Sequence, residues 1–396
     1  MDQVVLALLE GVFALTWKHF VMYLAGGILI YLAIKKEYEP MLLLPIGFGA
    51  ILVNLPLETV WEFEGHPGVL QLLFNAGIVT ELFPVLIFVA IGAMIDFTPL
   101  FKMPVMIFFG AAAQFGIFAT ICAVILIAPL MAVIDPRIAA MTPETLLKFA
   151  ASVGIIGSAD GPTSIYVAAR FAREYLGPIS VAAYSYMSLV PIIQPPIIRL
   201  LTTKNERRIK MVYREAEVSK LLKILFPIMI TILAGIIAPI SVPLIGLLMF
   251  GNLIRESGVL EKLSKAAQNE LASLVTLLLG ITIGASMRAE AFLTPVTIMI
   301  LCMGLVAFIF DTAGGVLFAK FINLFLKNKI NPMIGAAGIS AFPMSARVVH
   351  KMAMEEDFET VILMQAISAN ASGQLGSVMA GGVVLALVPV LINLFL

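Results

Sequence analysis

Apolar runs long enough to cross a bilayer recur from residue 20 to the last residue of this 396-residue chain, leaving no room for a separate soluble domain. A backbone in hydrocarbon must satisfy its own hydrogen bonds, and an α-helix does so within one segment. The pattern therefore predicts an all-α integral membrane protein. The opening stretch, MDQVVLALLEGVFALTW, has Asp2 where a signal peptide carries positive charge, contains Glu10 and lacks a small-residue cleavage site. It reads as an interfacial amphipathic helix over 1–19, kept in the mature protein.

The runs carry an internal repeat, as in transporters built from two related halves. LAG at 24–26, FGAILVN at 48–54, IGAM at 91–94, GIIGSADGPTSIYVAAR at 154–170, then Ser188 and Gln194 form the first series. In the same order come LAG at 233–235, FGNLIRE at 250–256, IGAS at 283–286, GAAGISAFPMSARVVHK at 335–351, then Ser368 and Gln374. The matches divide the chain into a first repeat (20–200), a cytoplasmic basic loop (201–220) and a second repeat (221–396).

Basic residues collect in cytoplasmic loops. Lys35 and Lys36 follow the first span, 55–77 holds Glu58, Glu62 and Glu64 but no Lys or Arg, and Lys102 follows the third span, so 55–77 lies outside. The loop 201–220, with Lys204, Arg207, Arg208, Lys210, Arg214 and Lys220, must then be cytoplasmic, whereas six crossings would put it outside. The conflict disappears if 146–172, Gly-rich and broken by Pro162, enters and leaves on one face. Each half then has five crossings and one re-entrant element, and the odd number inverts the second half. The elements 146–172 and 331–351 would enter from opposite faces and meet near mid-membrane. Non-helical backbone survives there only inside protein or beside a water-filled cavity. The expected fold is two inverted repeats with re-entrant or broken helices, in an elevator-like transporter architecture where one bundle moves against a scaffold.

Composition narrows the function. The chain is 61% hydrophobic and 13% charged, with zero formal net charge and a mean hydropathy of +1.04. No stretch joins a basic face to stacking aromatics, which excludes nucleic acid as a partner. Cys122 and Cys302 lie in apolar runs outside any ligand spacing, and His19, His66 and His350 are far apart, so no disulfide, thiolate or zinc chemistry is expected.

The candidate chemistry sits in GSADGPTS at 157–164, which sets an acid beside Gly161 and Pro162. Those two interrupt helical hydrogen bonding and free backbone carbonyls. A dehydrated sodium ion takes such oxygens: Asp160 supplies charge, while Ser158, Thr163, Ser164 and the carbonyls supply neutral ligands. A Pro-kinked helix capped by an Asp is the bland alternative, but an acid at membrane depth favours an ion site. The matching segment has Ala341 in place of Asp160 and adds Asn331, Ser340, Ser345 and Arg347. The planar fork of Arg347 suits a carboxylate, or it snorkels to the cytoplasmic boundary. Asp311, in an apolar span with no base within a turn, needs a distant partner, an ion or a proton. In 365–377, Ser368, Asn370, Ser372 and Gln374 suit close helix packing as well as ligation, and Asn370 is the favoured ligand. Tyr184 and Tyr186 are interface anchors, or in the case of Tyr186 a proton shuttle. The acidic run Glu355, Glu356, Asp357 and Glu359 reads as a solvated loop.

Together GSADGPTSIY, FGNLIRESGVLEKL, DTAGG, NPMIGAAGISAFPMSAR and SANASGQLGSVMAGG resemble the beta subunit of sodium-ion-translocating, biotin-dependent decarboxylases of the oxaloacetate, methylmalonyl-CoA and glutaconyl-CoA type. The resemblance runs along most of the chain. It implies that carboxybiotin, presented by a partner, is decarboxylated here with consumption of a proton and export of sodium ion. It also implies three partners, a carboxyltransferase subunit, a biotin carrier protein and a small membrane-anchor subunit. The assembly would be homo-oligomeric in the bacterial inner membrane, with no biotin attached to this chain. Carried over by position, the family's functional residues fall on Asp160, Tyr186, Asn331, Gly335, Ser340 and Arg347. The two readings together give Asp160, Tyr186 and Arg347 as candidate catalytic residues. Candidate sodium ligands are Asp160, Ser158, Thr163, Asn331, Gly335, Ser340 and Asn370, with Asp311 a further candidate. The rivals are a secondary sodium/proton or sodium/carboxylate transporter, and a membrane anchor, which would leave Asp160 and Asp311 unexplained.

Overall fold

The computed structural model describes residues 9–213 and 217–395. Asp2, with the rest of 1–8 in the predicted interfacial helix, and Arg214 of the basic loop lie outside the described residues. Helical backbone at 9–13 precedes α1 (Trp17–Lys35) and α2 (Pro40–Val53). Two two-residue strands, β1 (Glu62–Phe63) and β2 (His66–Pro67), form a small antiparallel pair in the acidic loop that follows. Then come α3 (Leu82–Met94), α4 (Ile107–Ala113), α5 (Phe115–Ile134), α6 (Pro143–Gly154), α7 (Gly161–Phe171), α8 (Leu176–Ser188) and α9 (Val190–Leu201). After the basic loop follow α10 (Lys220–Ile237), α11 (Val242–Ser257), α12 (Ala272–Ala285), α13 (Pro295–Asn323), α14 (Met344–Glu356) and α15 (Leu363–Phe395).

Seven helical stretches are long and apolar enough to cross a membrane, or nine if two bent pairs each count as one span. The bends are 59° between Val69–Val79 and α3, and 68° between the helical stretch Arg173–Ser188 and α9. Each has a local cause. Glu81 sits in the left-handed region before α3 (φ 65°), and Pro191 opens α9 without an amide to continue α8. The predicted helical membrane fold is thus present.

Burial separates two kinds of span. Only 11% of the α10 window is buried, whereas 56% of α13 and 50% of the α15 stretch are. Leu24, Ile28, Ile232 and Ile236 stay exposed, as suits side chains whose solvent is lipid. The central pair, α13 and α15, packs against both broken elements.

Helices from the two halves of the chain pack crosswise: α2 lies along α12, and α3 along α11. Glycine permits both approaches. A Cβ at Gly92 would fall 1.8 Å from the Leu248 carbonyl and one at Gly251 2.0 Å from that of Val89; at Gly49 and Gly284 the distances to Ile281 and Ile46 carbonyls are 2.5 and 2.2 Å. Small residues let helix backbones touch where no hydrophobic effect drives them together. Asparagine locks each crossing: Asn54 Nδ2 donates to the Met287 carbonyl at 2.8 Å, and Asn252 Nδ2 to that of Ile95 at 2.9 Å.

Candidate functional site

The first broken element is α6, one tight turn over Ile155–Ser158, a left-handed Ala159 (φ 53°), and α7. Asp160 is the N-cap of α7, and Gly161 and Pro162 fill its first turn, where Pro162 forgoes an amide that would have had no partner anyway. The acid is therefore fixed by its own helix as a carboxylate facing free N–H groups.

The Asp160 carboxylate is 3% exposed. Its Oδ2 accepts from Thr163 Oγ1 at 2.7 Å, Ser377 Oγ at 2.8 Å and Gln374 Nε2 at 3.2 Å. Its Oδ1 takes only a 3.4 Å contact from the Thr163 amide, leaving lone pairs available. Every donor is neutral, and Asp160 has no ion pair among the described residues. An ionised carboxylate at this depth therefore has its hydrogen bonds answered but not its charge.

The second broken element passes from a short helix, Met333–Ala336, through Ala337–Pro343 to α14. Its tip meets the first: Ser340 donates to the Ser158 carbonyl from its hydroxyl at 2.5 Å and from its amide at 3.3 Å. Asn370 on α15 donates through Nδ2 to the Ile339 carbonyl at 2.6 Å, while its Oδ1 is buried without a partner. A cavity of about 220 Å³ reaches this junction, where Asp160, Tyr184, Ser340 and Gln374 line it. One acid, an unsatisfied amide oxygen and carbonyls freed by two helix breaks make a set of hard oxygen donors suited to an alkali cation.

Of the residues singled out in the sequence, Asp160, Ser158, Thr163, Ser340 and Asn370 are thus brought to this junction. Asp311 lies directly behind it, 0% exposed, with both oxygens unpartnered; a Cβ on Gly157 would come within 2.6 Å of its Oδ2. Others are elsewhere. Asn331 is occupied, donating to the carbonyls of Arg207 (2.9 Å) and Ile209 (3.1 Å) and accepting from the Met333 amide (3.1 Å). Gly335 abuts α13, where a Cβ would stand 1.9 Å from the Gly315 carbonyl. Tyr186 turns its hydroxyl to the Leu301 carbonyl at 2.5 Å. Arg347 is exposed on α14. The acidic run is exposed at Glu355 and Glu359, as a solvated segment should be, and is also ion-paired: Glu355 pairs with Arg199, Glu356 with Arg207, and Asp357 and Glu359 with Lys210.

Sequence reasoning missed Ser377 and Tyr184 as neighbours of Asp160. Asn370, Gln374, Ser377 and Gly381 follow the 4-3-4 spacing of one helix face, which could have marked a polar stripe on α15. Tyr184 gave no such signal. It reaches the site because Gly161 has no side chain; a Cβ there would sit 2.3 Å from the phenol ring.

Fold and junction together define a multi-pass membrane protein built around a buried, charge-uncompensated carboxylate. Residues 18–388 match the sequence model of the Na+-transporting oxaloacetate decarboxylase beta subunit, and the chain belongs to that family. It is 47% identical to the glutaconyl-CoA decarboxylase subunit beta of Acidaminococcus fermentans, over 98% of this chain and 99% of that one. It is 44% identical to the methylmalonyl-CoA decarboxylase subunit beta of Propionigenium modestum (95% and 96%). To a probable oxaloacetate decarboxylase beta chain of Vibrio cholerae it is 42% identical (95% and 96%). The family membership and the helices make it a membrane subunit of a sodium-transporting decarboxylase.

Proposed function

We propose that this subunit exports sodium through the junction of its two broken elements, driven by decarboxylation of carboxybiotin that a carrier partner brings to the cytoplasmic face. The observation that carries the reading is Asp160, a buried carboxylate with four neutral hydrogen-bond contacts and no counter-charge among the described residues. Sodium would supply the missing charge, ligated by Asp160 Oδ1, Asn370 Oδ1 and freed carbonyls of the tips. When bound, carboxybiotin would supply a labile carboxylate, released as carbon dioxide with uptake of a proton at its ring nitrogen.

The residues present fit that group. The cavity to Asp160 is flanked by Phe342 and Met344, an apolar slot, and Arg347, on the turn of α14 after Met344, is exposed without an ion pair among the described residues. Its guanidinium would hold the carboxylate at two points. Loss of that anion changes the field at Asp160 and favours release of sodium to the other side. Tyr186 would relay the proton only after exchanging its bond to Leu301 for one into the cavity.

The inverted-repeat, elevator reading is supported by the reciprocal packing of α2 on α12 and α3 on α11. Ten crossings result if the fourteen-residue apolar α2 is added to the nine spans. The relatives act on different parent acids although they align nearly end to end with this chain, so a partner carboxyltransferase would choose the acid.

The test is Asp160→Asn in the purified complex, which keeps the N-cap and removes the charge. Sodium uptake into vesicles and sodium-stimulated decarboxylation should both vanish while the complex stays assembled. Wild-type sodium dependence in that variant would overturn the reading, and a chain transporting sodium with no biotin-bearing partner would favour a secondary transporter.

A further inference from the structure

The cavity that ends at Asp160 holds a second carboxylate that the site above does not use. Glu39 lines it together with Met41 and Leu42 of α2, and the remaining walls include Ile91 and Met94 of α3 and Ala272 and Thr276 of α12. Those ends of α2, α3 and α12 lie beside Lys36, Lys102 and Lys265, on the face the basic residues mark as cytoplasmic. Asp160, Tyr184 and Glu39 are the ionisable groups of the lining, with no lysine or arginine among its residues.

Glu39 is half-buried, its side chain makes no capping hydrogen bond to α2 and it joins no ion pair among the described residues, although Lys35 and Lys36 are close in sequence. Its backbone is strained. The residue before a proline is pushed to extended conformations, yet Glu39 precedes Pro40 in the left-handed region (φ 37°, ψ 60°), which a side-chain-bearing residue enters at a cost. Burial raises its pKa above the ordinary glutamate value, as befits a carboxylate without a counter-cation.

We propose that Glu39 is a cation-recruiting site at the cytoplasmic mouth of this cavity, holding sodium transiently and passing it to Asp160. Apolar walls focus the field of the two carboxylates along the cavity, since little water lies between to screen it. With no basic side chain in the lining, the walls draw cations, while the carboxylate of a group docked against Phe342 and Met344 is left to the exposed Arg347. The site is one-armed: a single carboxylate and water give weak binding, which allows the ion to move on. This inference rests on the assignment of sodium to Asp160.

The test is a sodium titration of decarboxylation by the purified complex, with choline as the balancing cation. Glu39→Gln should raise the sodium concentration for half-maximal rate roughly three- to tenfold and leave the rate at saturating sodium within about twofold of wild type. Glu39→Asp should restore most of the affinity, and Glu37→Gln, an exposed neighbour outside the cavity lining, should change nothing. Thr276→Lys puts a fixed cation in the same cavity with Glu39 intact and should raise the sodium requirement at least as much. The inference is overturned if Glu39→Gln and Thr276→Lys both keep the wild-type half-saturation. It is equally overturned if Glu39→Gln lowers only the maximal rate without rescue by Glu39→Asp, which marks a structural role. Either result leaves the sodium site standing if Asp160→Asn still abolishes sodium dependence; if that variant keeps it, the underlying assignment fails instead.

Discussion

The two broken elements share a framework and differ in where they keep their charge. Each is helix, break, helix, with a proline at the same offset, Pro162 and Pro343, and each is held by a glutamine from the other half of the chain. Gln374 reaches Asp160 in the first. Gln194 reaches the second, donating to the Ala336 carbonyl at 2.8 Å and accepting from Ser345 Oγ at 2.9 Å. At the tip, the first element has Asp160 and the second Ala341. The second instead carries its charges at the rim, where Arg347 is exposed and the acids after α14 are paired with the basic loop. The matching segments thus supply the breaks and freed carbonyls twice, whereas only one of the two tips carries a buried acid, costly without a partner.

That asymmetry is broken most severely by moving the acid. Asp160→Asn is expected to lower sodium-coupled decarboxylation by about two to three and a half orders of magnitude, since removing one member of a buried charge pair costs about 3–5 kcal/mol and 1.4 kcal/mol is a factor of ten. Adding Ala341→Asp to that variant should not restore activity. The new acid would lack counterparts of the Thr163, Gln374 and Ser377 donors. Recovered sodium transport in the double variant would show that the tips are interchangeable and that the hydrogen-bond cage is dispensable.

The two glutamines provide a milder test. Gln374→Ala removes a donor to a charged group, worth about 1.5–3 kcal/mol, and should weaken apparent sodium affinity about tenfold or more with little change in melting temperature. Gln194→Ala removes contacts between neutral groups and should do the reverse, costing about 1–2 kcal/mol of stability at nearly unchanged sodium affinity. Sodium titrations and thermal melts of the two variants decide the matter, and equal effects on sodium affinity would erase the distinction between the two glutamines. Smaller again is Ser340→Ala, which removes the hydroxyl bond between the tips; about 1 kcal/mol should appear as a shift of a few-fold in sodium half-saturation.

Much of this arrangement was legible in the chain. Hydropathy announced the helices, because lipid leaves the backbone few alternatives, and Gly161 and Pro162 marked the break because neither suits a helix interior. Asp160 stood out for the cost of burying it. What stayed hidden depends on how distant segments meet. Nothing local to Ser377 or Tyr184 points to Asp160, 217 residues from the first. The pairing of the acidic run 355–359 stayed hidden because its partners, Arg199, Arg207 and Lys210, are about 150 residues upstream. Asn331 is a subtler case. A polar residue at the start of a broken element resembles a ligand in sequence, but in the structure its amide and carbonyl are spent on the chain at 207–209 and 333.

The smallest expected effect concerns that anchorage and is a matter of pH. The second element is tied at its outer end to 201–211: Asn331 holds the carbonyls of Arg207 and Ile209, Arg207 pairs with Glu356 at 2.7 Å, and Lys320 bridges to the Leu201 carbonyl (3.0 Å) and to Glu206 (3.1 Å). Burial acts to raise the pKa of Glu206, but the Thr203 amide and hydroxyl and the Lys320 ammonium outweigh it and hold the pKa below the ordinary glutamate value. A carboxylate depressed in the folded state stabilises that state fully above its unfolded pKa, and the contribution fades as pH falls through the lower folded value. The clamp should therefore be intact at neutral pH and loosen only as the solution is acidified below about pH 4, the ordinary glutamate range. Amide hydrogen exchange over 203–211 and at Met333 should quicken in that window, while amides of α6 and α7, whose element is held by the buried contacts of Asp160 rather than by the Lys320–Glu206 clamp, keep their protection. Glu206→Gln should remove the pH step by making exchange at 203–211 somewhat faster at every pH. A pH step that survives this substitution would transfer the role to Asp357, whose pKa is also held low, chiefly by the Glu359 amide. Loss of protection in α6 and α7 over the same window would mean that the two elements are not clamped differently after all.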